Sequence, residues 1–216
     1  MPIGRWVLQT AARPLALWQR TVAQAEDMHL SVNLSARQLS APGLLDDVAR
    51  TLSGTGLQPA ALVLEITESV LMDDFQTALR TLSGLKSLGV GLALDDFGTG
   101  YSSLSYLRAF PIDVLKLSKP FVDDLGSEGG RALVGAIAGL AAALRMRTVA
   151  EGIETPQQAD RLRELGYDVG QGYHFARPMA ADSFALLVAE QPFLRPALPA
   201  LAPELPEQPV RLTVVR

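Results

Sequence analysis

Between residues 30 and 170 the chain repeats one rhythm: a short apolar run of β type, a polar residue, a turn, then a helical pattern. The β-type runs fall at 30–34, 62–66, 90–94, 113–117, 147–150 and 167–170. Helical stretches lie between them near 41–53, 72–88, 102–109, 128–145 and 156–165. Stop and start signals agree with these limits. Gly89 and Gly166 each follow a leucine, as a glycine closing a helix does, and Pro156 follows Thr155 as a first helical residue follows its cap. Ahead of the first run, residues 1–26 read as a helix. Trp6, Val7, Ala11, Leu15 and Trp18 lie near a 3.6-residue spacing, with Pro14 expected to kink or interrupt it.

Strands that alternate with helices imply parallel βαβ units. The fold expected is α/β, a TIM-like (β/α) barrel, with six runs where a complete barrel has eight. Residues 1–190 form this partial barrel domain. Six of the 14 prolines fall between Pro192 and Pro209, so 191–216 reads as a flexible, proline-rich tail.

A polar or charged residue closes every β-type run: Asn33, Glu65, Asp95 with Asp96, Lys116, Glu151 and Gln171. In a parallel barrel these positions meet at the C-terminal rim, where such folds build their sites. Taken singly, each has an ordinary structural use. Asn33 could make an Asx turn, Glu68 and Glu154 could cap helices, Gln171 could support a loop, and His29 and His174 suit structural roles. Asp95 and Asp96 are different, because adjacent carboxylates at a buried strand end repel unless a cation or hydrogen bonds offset them. Lys116 could be an ion-pair partner, an imine-forming lysine of aldolase type, or a group holding water or phosphate; among so many carboxylates it should stay protonated. Together the set makes a hard-oxygen site for divalent ions beside one cation. That is the chemistry of phosphoryl transfer, with Glu151 either a second-ion ligand or a base.

Composition narrows the choices. The chain has no cysteine, which excludes disulfides, thiolate metal sites and cysteine nucleophiles, and two histidines cannot make a poly-histidine zinc centre. Any metal must be held by oxygen, as magnesium, manganese or calcium are. Nineteen basic against 23 acidic residues give a net charge of −4, which argues against a DNA-coating protein. No secretory signal opens the chain. The longest apolar run, 132–144, is too short to cross a bilayer, so no membrane segment is expected and a cytoplasmic location is the default.

The motifs Ser-Val-Asn-Leu-Ser at 31–35, Leu-Glu-Ile-Thr-Glu-Ser at 64–69, Asp-Asp-Phe-Gly-Thr-Gly-Tyr-Ser-Ser-Leu at 95–104, Val-Ala-Glu-Gly-Ile-Glu-Thr at 149–155 and Gln-Gly-Tyr at 171–173 closely resemble the EAL-domain family of bacterial cyclic di-GMP phosphodiesterases. The match runs from about residue 3 to about residue 180. The resemblance implies a modified TIM-like barrel that opens cyclic di-GMP to linear pGpG with Mg²⁺ or Mn²⁺, two ions in a complete site. It implies metal coordination by Asn33, Glu65 and Asp95, and second-ion or water-activating roles for Asp96 and Glu151. It makes Lys116 the catalytic lysine, Gln171 an active-site glutamine and Glu68 the anchor of the loop at 97–104, through which a homodimer is expected. Sensory or diguanylate-cyclase-like domains are expected as fused or paired partners.

Two departures stand out. Nothing here corresponds to the Glu-Ala-Leu strand that names the family, so the chain reads as truncated at its N-terminus. Ser118 stands where the family commonly has Asp. Both leave a rival expectation: a degenerate domain that binds cyclic di-GMP or a protein partner without hydrolysing it.

Overall fold

The computed structural model describes residues 2–98 and 104–190. Six strands form one parallel sheet in sequence order: β1 (Leu30–Asn33), β2 (Leu62–Thr67), β3 (Gly91–Phe97), β4 (Val114–Leu117), β5 (Arg147–Ala150) and β6 (Val169–Gly170). The sheet is an incomplete TIM-like barrel. β1 pairs only with β2 and β6 only with β5, so both edges stay open among the described residues. The proline-rich tail lies outside these residues, as do positions 99–103 of the loop expected to carry a homodimer.

The helices are α1 (Pro2–Thr21), α2 (Ala36–Leu39), α3 (Leu44–Thr55), α4 (Glu68–Asp73), α5 (Phe75–Ser87), α6 (Leu104–Ala109), α7 (Lys119–Asp123), α8 (Glu128–Ala143), α9 (Pro156–Glu164) and α10 (Ala181–Glu190). Pro14 does not interrupt α1. Leu8, Ala12, Leu15 and Ala16 form a buried stripe on that helix, and packing of this stripe against α3 and β1 outweighs the lost backbone bond. The helix expected over 72–88 is two, because Asp74 ends α4 and then caps α5, its carboxylate accepting from Thr77 N at 3.1 Å. The patterning gave no warning of α2, α7 or α10, the first two being too short to show a period.

The core lies between the sheet and its helices. Leu62, Leu64, Ile66, Leu92, Leu115 and Leu117 alternate along the central strands toward this layer and are fully buried. Their neighbours face the concave side, where Val63, Ala93 and Val114 form a second, smaller apolar group flanked by Val149. These modest side chains floor the barrel interior, and the polar strand ends rise above them.

Buried polar bonds fix the strand starts. The Asp113 carboxylate accepts from Leu92 N at 2.8 Å and pairs with Lys86 at 2.9 Å, tying α5 to β3. The Asp168 carboxylate accepts from Thr148 N and Oγ1 at 2.8 and 2.9 Å. At α9, Thr155 accepts from Gln158 N at 3.2 Å while the Gln158 side chain accepts from Thr155 N at 3.0 Å, a reciprocal cap. Thr155→Ala is expected to lower unfolding stability by about 1 kcal/mol in urea titration.

Candidate active site

Three carboxylates from three strands converge on one ammonium. Lys116 is 4% exposed, and its Nζ lies 2.7 Å from Glu65 Oε2, 2.6 Å from Glu151 Oε1 and 3.3 Å from Asp95 Oδ1. Burial works against this charge, but the hydrogen bonds and charges of Glu151 and Glu65 outweigh it and hold Lys116 above the usual lysine range. The lysine therefore carries its proton, which leaves no free amine for imine chemistry. Burial pushes the Glu151 carboxyl up; Lys116 opposes the rise, and the charges of Asp95 and Glu65 add to it.

Asp95 and Asp96 reach the same space by a backbone device. In a regular strand successive side chains point to opposite faces. Here the β3–β4 register shifts between Leu94 and Phe97, and Asp96 takes a left-handed φ of 55°. That irregularity re-aims Asp96, so Asp95, Asp96 and Glu151 each offer an oxygen within 4.8 Å of the others. Aspartate tolerates this conformation better than most residues, which makes the choice of side chain backbone chemistry as well as site chemistry. Asp96 N also donates to Asp95 Oδ1 at 3.0 Å. Three hard carboxylate donors so close repel without a counter-charge, and they suit a divalent cation of the magnesium or manganese kind.

The remaining expected residues sort by position. Asn33 ends β1 directly across from Glu65 in the strand register, and Leu34 N donates to the Glu65 carbonyl at 2.8 Å. Gln171 follows β6; its N–H donates to the Ala150 carbonyl at 2.8 Å and its carbonyl accepts from Ile153 N at 3.0 Å. Glu68 opens α4 and is 7% exposed, with neither carboxylate oxygen hydrogen-bonded among the described residues. Ser118 is 3% exposed, and its Oγ is also unpartnered there. Glu154 is not drawn into the carboxylate cluster: it pairs at 3.0 Å with Lys119, which also holds Asp123 at 2.9 Å. Lys119 leaves no pattern in the sequence, because its role comes from the α7 geometry. Gly172 is equally silent there: a Cβ would lie 2.1 Å from the Ile153 carbonyl oxygen, so only glycine lets these backbones touch.

Comparison with known proteins identifies the family and the fold. The family model described as EAL domain matches residues 1–178. MucR of Pseudomonas aeruginosa, a bifunctional diguanylate cyclase/cyclic di-GMP phosphodiesterase, is 42% identical over 188 residues, which cover 87% of this chain and 27% of MucR. The signaling protein YkoW of Bacillus subtilis is 37% identical over 191 residues, 88% of this chain and 24% of YkoW. The chain thus spans about a quarter of the length of these curated relatives. Among solved structures, the PaMucR phosphodiesterase in its c-di-GMP complex superposes with a TM-score of 0.80 at 41% identity, covering 85% of this chain and 74% of that one. The EAL domain of Mycobacterium smegmatis DcpA superposes with a TM-score of 0.81 at 38% identity, covering 86% and 83%. No helix among the described residues is long and apolar enough to cross a membrane. A family match over most of the chain, the six-stranded parallel sheet and the carboxylate–lysine rim lead to one assignment: this chain belongs to the EAL domain family.

Proposed function

We propose that the chain is a cyclic di-GMP phosphodiesterase domain that hydrolyses its substrate to linear pGpG with Mg²⁺ or Mn²⁺. The observation that carries this reading is the buried Lys116 bonded to Glu65, Asp95 and Glu151, with Asp96 beside them. Asn33, Glu65 and Asp95 would hold one ion, and Asp96 with Glu151 a second. Bound there, divalent ions neutralise phosphoryl oxygens and lower the pKa of water at the site.

The chain's own groups do the rest. Lys116 keeps a fixed positive charge among the carboxylates, and an N–H turned away from one of them would donate to a phosphoryl oxygen or an attacking water. Burial pushes the Glu151 carboxyl up against the pull of Lys116, so it takes a proton more readily than an exposed glutamate, the direction that suits a general base. Glu68 and Gln171 support the adjoining loops. The relatives' greater length supports a setting beside sensory or cyclase-type domains, and the absence of any membrane-length helix among the described residues fits work in the cytoplasm.

The test is hydrolysis by the purified chain of cyclic di-GMP with Mn²⁺ or Mg²⁺, followed by chromatography. The expected outcome is pGpG, lost when the divalent ions are chelated. Binding of cyclic di-GMP with no pGpG under any divalent ion would replace this reading with that of a receptor domain. Ser118→Asp adds a carboxylate two residues beyond Lys116, and is expected to maintain or raise turnover in the same assay.

A further inference from the structure

The margin of the sheet at β1 has the shape of a seat for one more strand. No described strand pairs with the outer side of Leu30–Asn33. Beside it lies an open groove of about 430 Å³, walled by Ile3 and Val7 of α1, Val32 and Asn33 of β1, and Ser35 and Gln38. Ile3 and Val7 are left 77% and 37% exposed there. The two faces of β1 differ in character. Leu30 and Val32 lie in register with the core residues Leu62 and Leu64, while Ser31 and Asn33 lie in register with Val63 and Glu65 of the concave side. An added strand therefore needs apolar residues at alternate positions toward α1, and small or basic ones toward the carboxylates.

The sequence at 210–216, Val-Arg-Leu-Thr-Val-Val-Arg, has this alternation. Val210, Leu212 and Val214 would share one face of a strand, and Arg211, Thr213 and Val215 the other. The segment carries two arginines and no acid, which complements a concave side bearing Glu65, Asp95 and Glu151. It contains no proline, although six stand between Pro192 and Pro209 just before it. The described chain also ends close by. The Phe184 ring of α10 lies 5.5 Å from the Trp18 ring of α1, and α10 packs on the short turn Ala23–Ala25 that leads into β1. The 19 residues from 191 to 209 span about 60 Å at the rise of proline-rich chain, twice the roughly 30 Å of the 20-residue α1. Every point of the groove is within that reach.

We propose that residues 210–215 of the same chain add to the open side of β1 as a seventh strand. Val210, Leu212 and Val214 cover the groove beside Ile3 and Val7, and Arg211 falls on the carboxylate side.

The absence of cysteine makes a direct test available. Ser31→Cys is combined in turn with Arg211→Cys, Thr213→Cys and Val215→Cys in the full chain, and each protein is oxidised at high dilution. At least one pair is expected to form an intrachain disulfide, and Ser31→Cys with Leu212→Cys, on opposite faces, to form it about tenfold more slowly. Hydrogen exchange gives the second readout, without cysteines. Amides of 30–33 are expected to exchange about tenfold faster in Leu212→Asp than in the unchanged chain, with helical circular dichroism the same in both. Equal exchange in the two proteins overturns the proposal even if a disulfide is trapped, because oxidation also captures passing encounters. Disulfides found only between chains assign β1 to a second copy and overturn it as well.

Discussion

Asp95→Ala reduces cyclic di-GMP turnover by about a thousandfold or more, equivalent to about 4 kcal/mol of transition-state stabilisation. The size follows from position. Asp95, like Glu151, both faces Lys116, at 3.3 Å, and belongs to the carboxylate group that includes Asp96. Removing it takes a ligand from the proposed ions and a partner from the lysine at once. The substitution sits at the register shift of β3, so the fold must be checked separately; Asp95→Asn keeps the shape, removes the charge and should lose comparable activity. Chromatographic assay of pGpG, with circular dichroism on each variant, decides the matter. Turnover within tenfold of the parent for both variants would contradict the carboxylate site as the reaction centre.

Lys116→Met carries the largest expected stability cost, about 3–5 kcal/mol, because it leaves carboxylates buried without their cation. Lys116 is 4% and Glu65 6% exposed, so water cannot substitute for the lost ammonium. The pH dependence has a definite sign. Glu151 already sits above the ordinary glutamate range through burial, and losing Lys116 removes the two effects that oppose the rise. A carboxyl with a raised pKa in the folded state binds more protons folded than unfolded, so stability falls as pH rises. In divalent-free buffer, urea midpoints of Lys116→Met are therefore expected to drop as pH rises above the ordinary glutamate range. Added Mn²⁺ should raise the melting temperature of this variant more than that of the parent, since the ion supplies the missing positive charge. Equal shifts in both proteins would show that the carboxylates do not share a cation site.

Much of this arrangement was legible before the structure. Parallel strands make the residue at a strand's end predictable in space from the pattern alone, which is why Glu65, Asp95, Lys116 and Glu151 could be grouped and are found within bonding distance. Asp96 is more instructive. A regular alternation puts it on the wrong face, and only the left-handed φ returns it to the cluster. Glu154, read from the sequence as a supporting or helix-capping acid, pairs with Lys119, a partner that no spacing in the sequence announces. The clasp of Gly172 on Ile153 depends on two backbones meeting across loops, and such contacts have no period to read. Pro14 failed as a helix breaker because one missing hydrogen bond is small beside a buried apolar stripe.

The open margins of the sheet have a consequence for handling the protein. β1 presents Leu30–Asn33 with a row of backbone donors and acceptors that no described strand meets, and β6 does the same at the far side. Exposed Ile3, Trp6 and Val7 add apolar surface on α1, beside β1. Such margins recruit strands from other molecules. Purified chain is expected to stay dispersed when dilute and to form higher-mass species as it is concentrated, with light scattering rising before any loss of helical signal. Conditions for crystallisation or spectroscopy should therefore be chosen around colloidal behaviour first.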